Sequence, residues 1–65
     1  MKNRALLLAM KHKIMTIGEY AMKLGFSTER AELILTQKAI LTEDEIKRNC
    51  DFFNVDADYF LCIIE

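Results

Sequence analysis

The sequence predicts an all-α domain of five short helices, and three observations support this fold class. The 65 residues include two glycines and no proline, whereas an all-β chain needs many tight turns. Two Thr-x-x-Glu segments have the pattern of a helix N-terminal capping box. Apolar residues recur at spacings of three and four, which places them on one face of a helix. Within one domain, 1–65, the expected helices cover residues 3–13, 17–24, 28–37, 43–53 and 57–63.

The first expected helix is recognised by its apolar face and the second by its cap. Five residues give the first helix a broad apolar face, which Leu7 widens: Ala5, Leu6, Leu8, Ala9 and Met10. Thr16 and Glu19 are expected to bond reciprocally at the start of the second helix. Gly25 is expected to end that helix in the left-handed conformation.

The later helices also have start and stop signals. Ser27 is the N-cap candidate of the third helix. Thr42 and Glu45 form the second capping-box pattern, with three acids in the first turn of the fourth helix. Asn54 is expected to end the fourth helix as a left-handed cap, and Asp56 to cap the fifth.

Length and composition exclude several classes of protein. The chain is 52% apolar and 29% charged, which is typical of a folded globular domain. No apolar run approaches the roughly 20 residues of a membrane span. Residues 1–10 are basic and then apolar, but Lys11, His12 and Lys13 follow without a cleavage site, so we expect a helix, not a signal peptide. We expect a cytoplasmic protein of a bacterial cell.

Catalytic and metal chemistry have little support in the sequence. It offers no nucleophile–base pair, glycine-rich phosphate loop or cleft with paired carboxylates, so we expect neither an enzyme nor a cofactor. Cys50, Cys62 and the single histidine do not form a zinc-binding pattern. Two cysteines do not make a disulfide framework, and we expect reduced, half-buried thiols.

The most informative segment is the tight unit formed by the second and third helices. Small Ala21 suits the closest approach of two steeply crossing helices, and Gly25 suits the turn between them. Tyr20 is expected to face inward on the second helix, as are Ala31 and Ile34 on the third.

Residues 17–27, from Ile17 to Ser27, resemble the helix-turn-helix of the Cro and phage-repressor family, also called the XRE family. Residues 41–46 and 50–56 are similar to the family's fourth helix and its junction with the fifth. The resemblance covers about residues 14–61 and is greatest to short Cro-like regulators of phages and mobile elements. It implies a compact lambda-repressor-like domain with the helix-turn-helix at about 17–37.

The resemblance implies that the third helix lies in the major groove of operator DNA. Its outward residues and the following loop are then the binding residues, either to DNA or to a repressor. These are Thr28, Glu29, Arg30, Glu32, Leu33, Thr36, Gln37 and Lys38. Ala21, Gly25, Ala31 and Ile34 are the structural residues of the motif.

The charge distribution keeps a second function open. Residues 1–23 hold five cations and one acid, a net +4, whereas residues 24–65 hold four cations and nine acids, a net −5. A DNA-binding domain is normally basic, and Glu29 and Glu32 are repelled by phosphates. The alternative is an antirepressor that binds the cognate phage repressor and masks its basic DNA-reading face.

The apolar C-terminus is a candidate protein interface. The six residues from Tyr59 to Ile64 are all apolar or aromatic, and one helix face can bury only about half of them. We expect Tyr59, Phe60 and Ile63 to complete the core. An exposed patch of Leu61, Cys62 and Ile64 would then form a two-fold homodimer or contact a repressor.

Overall fold

The computed structural model describes residues 2–63, which form five α-helices. They are α1 Ala5–Lys11, α2 Ile17–Leu24, α3 Thr28–Leu35, α4 Glu43–Phe53 and α5 Ala57–Phe60. No β-strand occurs in this part of the chain, so the predicted all-α class is confirmed. No helix within residues 2–63 is long and apolar enough to cross a membrane.

Polar side chains begin α3 and α4 as predicted. Ser27 Oγ accepts a hydrogen bond from the Arg30 N–H at 3.1 Å. Thr42 and Glu45 form a reciprocal capping box. Thr42 Oγ1 accepts from the Glu45 N–H at 3.2 Å, and Glu45 Oε1 accepts from the Thr42 N–H at 2.8 Å. Each bond satisfies a backbone donor that the helix geometry leaves without a partner.

Two of the predicted caps differ in detail. Thr16 Oγ1 accepts from the Glu19 N–H at 3.0 Å, as expected. The Glu19 carboxylate accepts from the Met15 N–H at 2.9 Å instead of returning to Thr16. Asp56 occupies the N-cap position of α5, but its side chain makes no capping hydrogen bond.

Left-handed residues end the helices. Gly25 (φ 79°) and Asn54 (φ 57°) are the caps of α2 and α4, as predicted. The predicted first, third and fifth helices are too long at their C-terminal ends. Lys13 (φ 59°), Gln37 (φ 66°) and Cys62 (φ 62°) are left-handed as well, and this conformation is incompatible with a continuing right-handed helix.

Side chains from all five helices meet in one core. Its buried members include one from each helix: Ala5, Tyr20, Ile34, Phe53 and Phe60. The broad apolar face predicted for α1 is wrong in part, because the seven-residue helix buries only a narrow face against the core. Its larger outward side chains, Leu6, Leu7 and Met10, are exposed.

A buried polar link joins α2 to α4, and sequence patterns do not reveal it. The Tyr20 hydroxyl donates a hydrogen bond to Asn49 Oδ1, and Asn49 Nδ2 donates to the Glu45 carbonyl at 2.9 Å. Tyr20 and Asn49 are both fully buried. Burial raises the pKa of the Tyr20 phenol, so the group stays a neutral donor. The link fixes the position of α2 on α4.

Candidate binding surface on α3

Two backbone hydrogen bonds close the turn between α2 and α3. The Gly25 and Phe26 N–H groups both donate to the Ala21 carbonyl, at 2.8 and 2.9 Å. Ala21 is buried beneath the turn, and Ala31 and Ile34 are buried on α3. These small or inward-facing side chains fix the position of α3, whose opposite side is left in solvent.

Arg48 fastens this turn to α4. Its Nη1 donates to the Gly25 carbonyl at 2.9 Å, and its guanidinium lies 5.6 Å from the centre of the Phe26 ring. Its Nε is 2.8 Å from a carboxylate oxygen of Asp44, one helical turn earlier. The spacing of Asp44 and Arg48 is a signal for the ion pair, but the contact with the turn depends on the tertiary structure.

We call the solvent-facing side of α3 the α3 outer face. It consists of Thr28, Glu29, Glu32, Leu33 and Thr36, all of them exposed. The Thr36 hydroxyl donates to the Glu32 carbonyl at 2.7 Å, so part of its polarity is used within the helix. Leu33 is 40% exposed. The face therefore presents two carboxylates and a leucine, and it contains no cation.

Arg30 lies at the edge of α3 and is held by an ion pair with α4. Its Nε and Nη2 donate to the two carboxylate oxygens of Glu45 at 2.6 and 2.7 Å. Nη2 also donates to the Ile40 carbonyl at 2.9 Å. The Arg30 guanidinium lowers the pKa of the Glu45 carboxyl to about 2, and that carboxylate raises the pKa of Arg30. Arg30 therefore positions α3 against α4.

Gln37, another expected binding residue, holds the N-terminal segment. Its Oε1 accepts from the Asn3 N–H at 2.7 Å, and its Nε2 donates to the Asn3 carbonyl at 3.0 Å. Asn3 Nδ2 donates to the Ile34 carbonyl at 3.3 Å, and Asn3 Oδ1 accepts from the Ala5 N–H at 2.9 Å. Asn3 therefore lies before α1, whereas the sequence predicts that the first helix begins at this residue.

All three arginines of the sequence are used within the chain. Arg4 Nε donates to the Tyr59 carbonyl at 2.7 Å, and its guanidinium lies 4.4 Å from the centre of the Tyr59 ring. Arg30 and Arg48 have the contacts described above. Bidentate pairing of arginine with guanine is the commonest specific contact in the major groove. Such pairing would require breaking one of these contacts.

Lysines are the freer cations near α3. Lys23 on α2 and Lys38 after α3 are exposed, and neither forms an ion pair in the part of the chain that the structure describes. Ile40, to which the sequence assigns no role, is 76% exposed. Its carbonyl bonds to Arg30, so it lies beside α3. Ile40 therefore adds an exposed apolar side chain in the loop between α3 and α4.

The C-terminal patch differs from the prediction. Tyr59 and Leu61 are partly buried and pack against the core, and Cys62 is half-buried. Ile63, expected in the core, is 67% exposed, because the left-handed Cys62 turns the chain after α5. Ile64 lies outside the described residues. Of the residues expected to form an interface, Leu61 thus contributes to the core.

The remaining features offer no further chemistry at this surface. Within residues 2–63, no group of His, Cys, Asp or Glu side chains could hold a metal ion. An open groove of about 490 Å³ lies between α1 and the start of α5. Its lining residues are Leu8, Lys11, Asn54, Val55, Asp56 and Tyr59. That lining contains no nucleophile paired with a base.

Comparisons of the chain with protein-family models, with curated proteins and with solved structures found no match.

Proposed function

We propose that the protein is a small regulator of a phage-type genetic switch whose α3 outer face binds the basic DNA-reading face of a cognate repressor. On this proposal α2, the Gly25 turn and α3 form a helix-turn-helix that recognises protein. The observation that carries it is the composition of the α3 outer face, with exposed Glu29 and Glu32 around Leu33 and no cation. The resemblance of residues 17–27 to the Cro and repressor family supports a role in a phage-type genetic switch.

Electrostatics favour a protein partner over a phosphate backbone. The carboxylates of Glu29 and Glu32 repel phosphates, whereas they complement lysines and arginines on a repressor's reading face. The guanidinium of Arg30, the arginine of α3, is neutralised by both oxygens of Glu45. Leu33 supplies exposed apolar area between the two carboxylates, which an interface can bury.

Operator DNA is the second candidate, and the lysines support it. Lys23 and Lys38 are exposed and have no carboxylate partner among the described residues, so they can contact phosphates. Thr28 is also exposed, at the start of α3. Binding of this kind would be strongly salt-dependent, with a slope of about −0.9 in log K against log salt for each phosphate contact.

The test is a mixing titration with the proposed cognate repressor, with and without its operator DNA. The variant Glu29→Lys with Glu32→Lys reverses the α3 outer face. The control, Glu43→Lys with Asp58→Lys, reverses two exposed acids on other helices. Each pair of changes raises the net charge by four, from −1 to +3. We expect the wild type and the control to bind the repressor and the α3 variant not to bind.

Two further variants separate the candidates. Leu33→Ala should weaken repressor binding by about tenfold, a loss of about 1.4 kcal/mol. Lys38→Ala should leave repressor binding unchanged. If the protein instead binds the operator alone, Lys38→Ala should reduce the salt slope by about one phosphate contact. Full repressor binding by the Glu29→Lys, Glu32→Lys variant would contradict the proposal.

A further inference from the structure

The outward side of α1 is apolar although it lies in solvent. We call it the α1 outer face, formed by Leu6, Leu7, Met10 and Lys11. The first three are 49%, 42% and 65% exposed. Single exposed apolar residues are ordinary, but three on a seven-residue helix form a contiguous patch, and such patches mark contact sites.

The margin of this face is basic. Lys11 is the last residue of α1. Lys13, two positions later, has a left-handed backbone conformation that turns the chain away from the helix. Both lysines are exposed, and neither forms an ion pair in the part of the chain that the structure describes. The α1 outer face is therefore an apolar patch with free positive charge at one end.

The α3 outer face has the complementary composition. It carries exposed Leu33, and its charges are the carboxylates of Glu29 and Glu32. α1 and α3 both contribute their opposite sides to the core. Their outer faces thus point away from it, and the two complementary surfaces can meet only between molecules.

We propose that the α1 outer face of one copy docks on the α3 outer face of a second copy. The contact is head-to-tail, so a dimer still has one free α1 outer face and one free α3 outer face, and longer chains form as the concentration rises. A standard interface buries about 800 Å² per partner, nearly a fifth of this protein's 4362 Å² surface. Four or five side chains bury less than that, so the association is weak.

This inference goes beyond the proposed function and is tested without any repressor. Self-association and the proposed binding of a repressor have one feature in common, because both use the α3 outer face. Molecules in head-to-tail chains would have their α3 outer faces covered, so that self-association opposes partner binding at high concentration.

The experiment is a charge exchange followed by sedimentation velocity at rising protein concentration. One variant carries Lys11→Glu and Lys13→Glu, and the other carries Glu29→Lys and Glu32→Lys. Circular dichroism checks that both are folded. We expect the wild type to associate, more weakly in high salt, and each variant alone to associate at least tenfold more weakly. The equimolar mixture should associate again, because each variant's altered face matches the other's.

The control Lys23→Glu with Lys47→Glu makes the same charge change away from α1 and should associate like the wild type. A wild type that stays monomeric at every concentration overturns the proposal. So does association that survives in both variants, which would place the contact elsewhere, such as the C-terminal end. Vesicles of phosphatidylglycerol form a further arm. If they bind a monomeric wild type and not the Lys11→Glu, Lys13→Glu variant, the face contacts lipid and the proposal fails.

Discussion

Replacing Gly25 with alanine should destabilise the protein by about 1 kcal/mol. A residue with a Cβ costs roughly 1–2 kcal/mol in the left-handed region, where Gly25 has φ 79° and ψ 31°. Alanine also restricts the unfolded chain, and this effect offsets about 0.4–1 kcal/mol of that cost. The added Cβ lies 3.2 Å from Arg48 Nη1, so that side chain must shift by a few tenths of an ångström while it holds the Gly25 carbonyl. The steric term adds to the loss.

Gly18 provides a matched control inside α2. A Cβ at Gly18 meets no atom within 4 Å, and the residue is helical. Gly18→Ala should therefore stabilise the protein by about 0.5–1 kcal/mol, through helix propensity. Urea denaturation of both variants measures the two changes. In a domain of this size, 1 kcal/mol corresponds to about 4–8 °C in Tm.

The opposite signs are the test, because both variants restrict the unfolded chain in the same way. If Gly25→Ala is as stable as the wild type, or if both variants move the urea midpoint upward, Gly25 is not held in the left-handed conformation. The account of how the turn positions α3 is then wrong.

The other stability predictions also use urea midpoints. The pKa of Glu45 is lowered from 4.5 to about 2 beside Arg30, so its contribution is fully present above pH 4.5 and is lost as the pH falls toward 2. Glu45→Gln should lose less stability than the wild type over that range, and parallel losses would contradict the assignment. Tyr20→Phe should cost about 1–3 kcal/mol, because it leaves the buried Asn49 Oδ1 without its donor; an unchanged midpoint would mean that the buried link is not formed. Gln37→Ala should cost about 1 kcal/mol by releasing the N-terminal segment, and a gain in stability would show that the segment is not held there.

Helix starts and glycine or asparagine stops could be predicted because they depend on neighbouring residues. The Thr42 capping box, the Gly25 turn and the Asn54 cap each involve contacts within a few positions. The stop at Gln37 could not be predicted in this way. Its side chain bonds to Asn3, 34 positions away, and that contact accompanies a backbone conformation which glutamine alone does not favour.

The position of the candidate surface could be predicted from the sequence, but the pairing of the arginines could not. Helical spacing placed Glu29, Glu32 and Leu33 outward, and the structure leaves them exposed. Spacing cannot show that Arg30 meets Glu45, 15 positions away, or that Arg4 meets Tyr59, 55 positions away. Those two pairings remove cations that a sequence pattern leaves available for DNA.

NMR mapping of backbone amide shifts distinguishes a repressor from DNA as the partner of the α3 outer face. The labelled protein is titrated with the cognate repressor that we propose as its partner and, separately, with that repressor's operator duplex at physiological salt. We expect the repressor to shift the amides of residues 28–36 and the duplex to leave them unchanged. Shifts of those amides with the duplex, and none with the repressor, would show that the α3 outer face binds DNA instead.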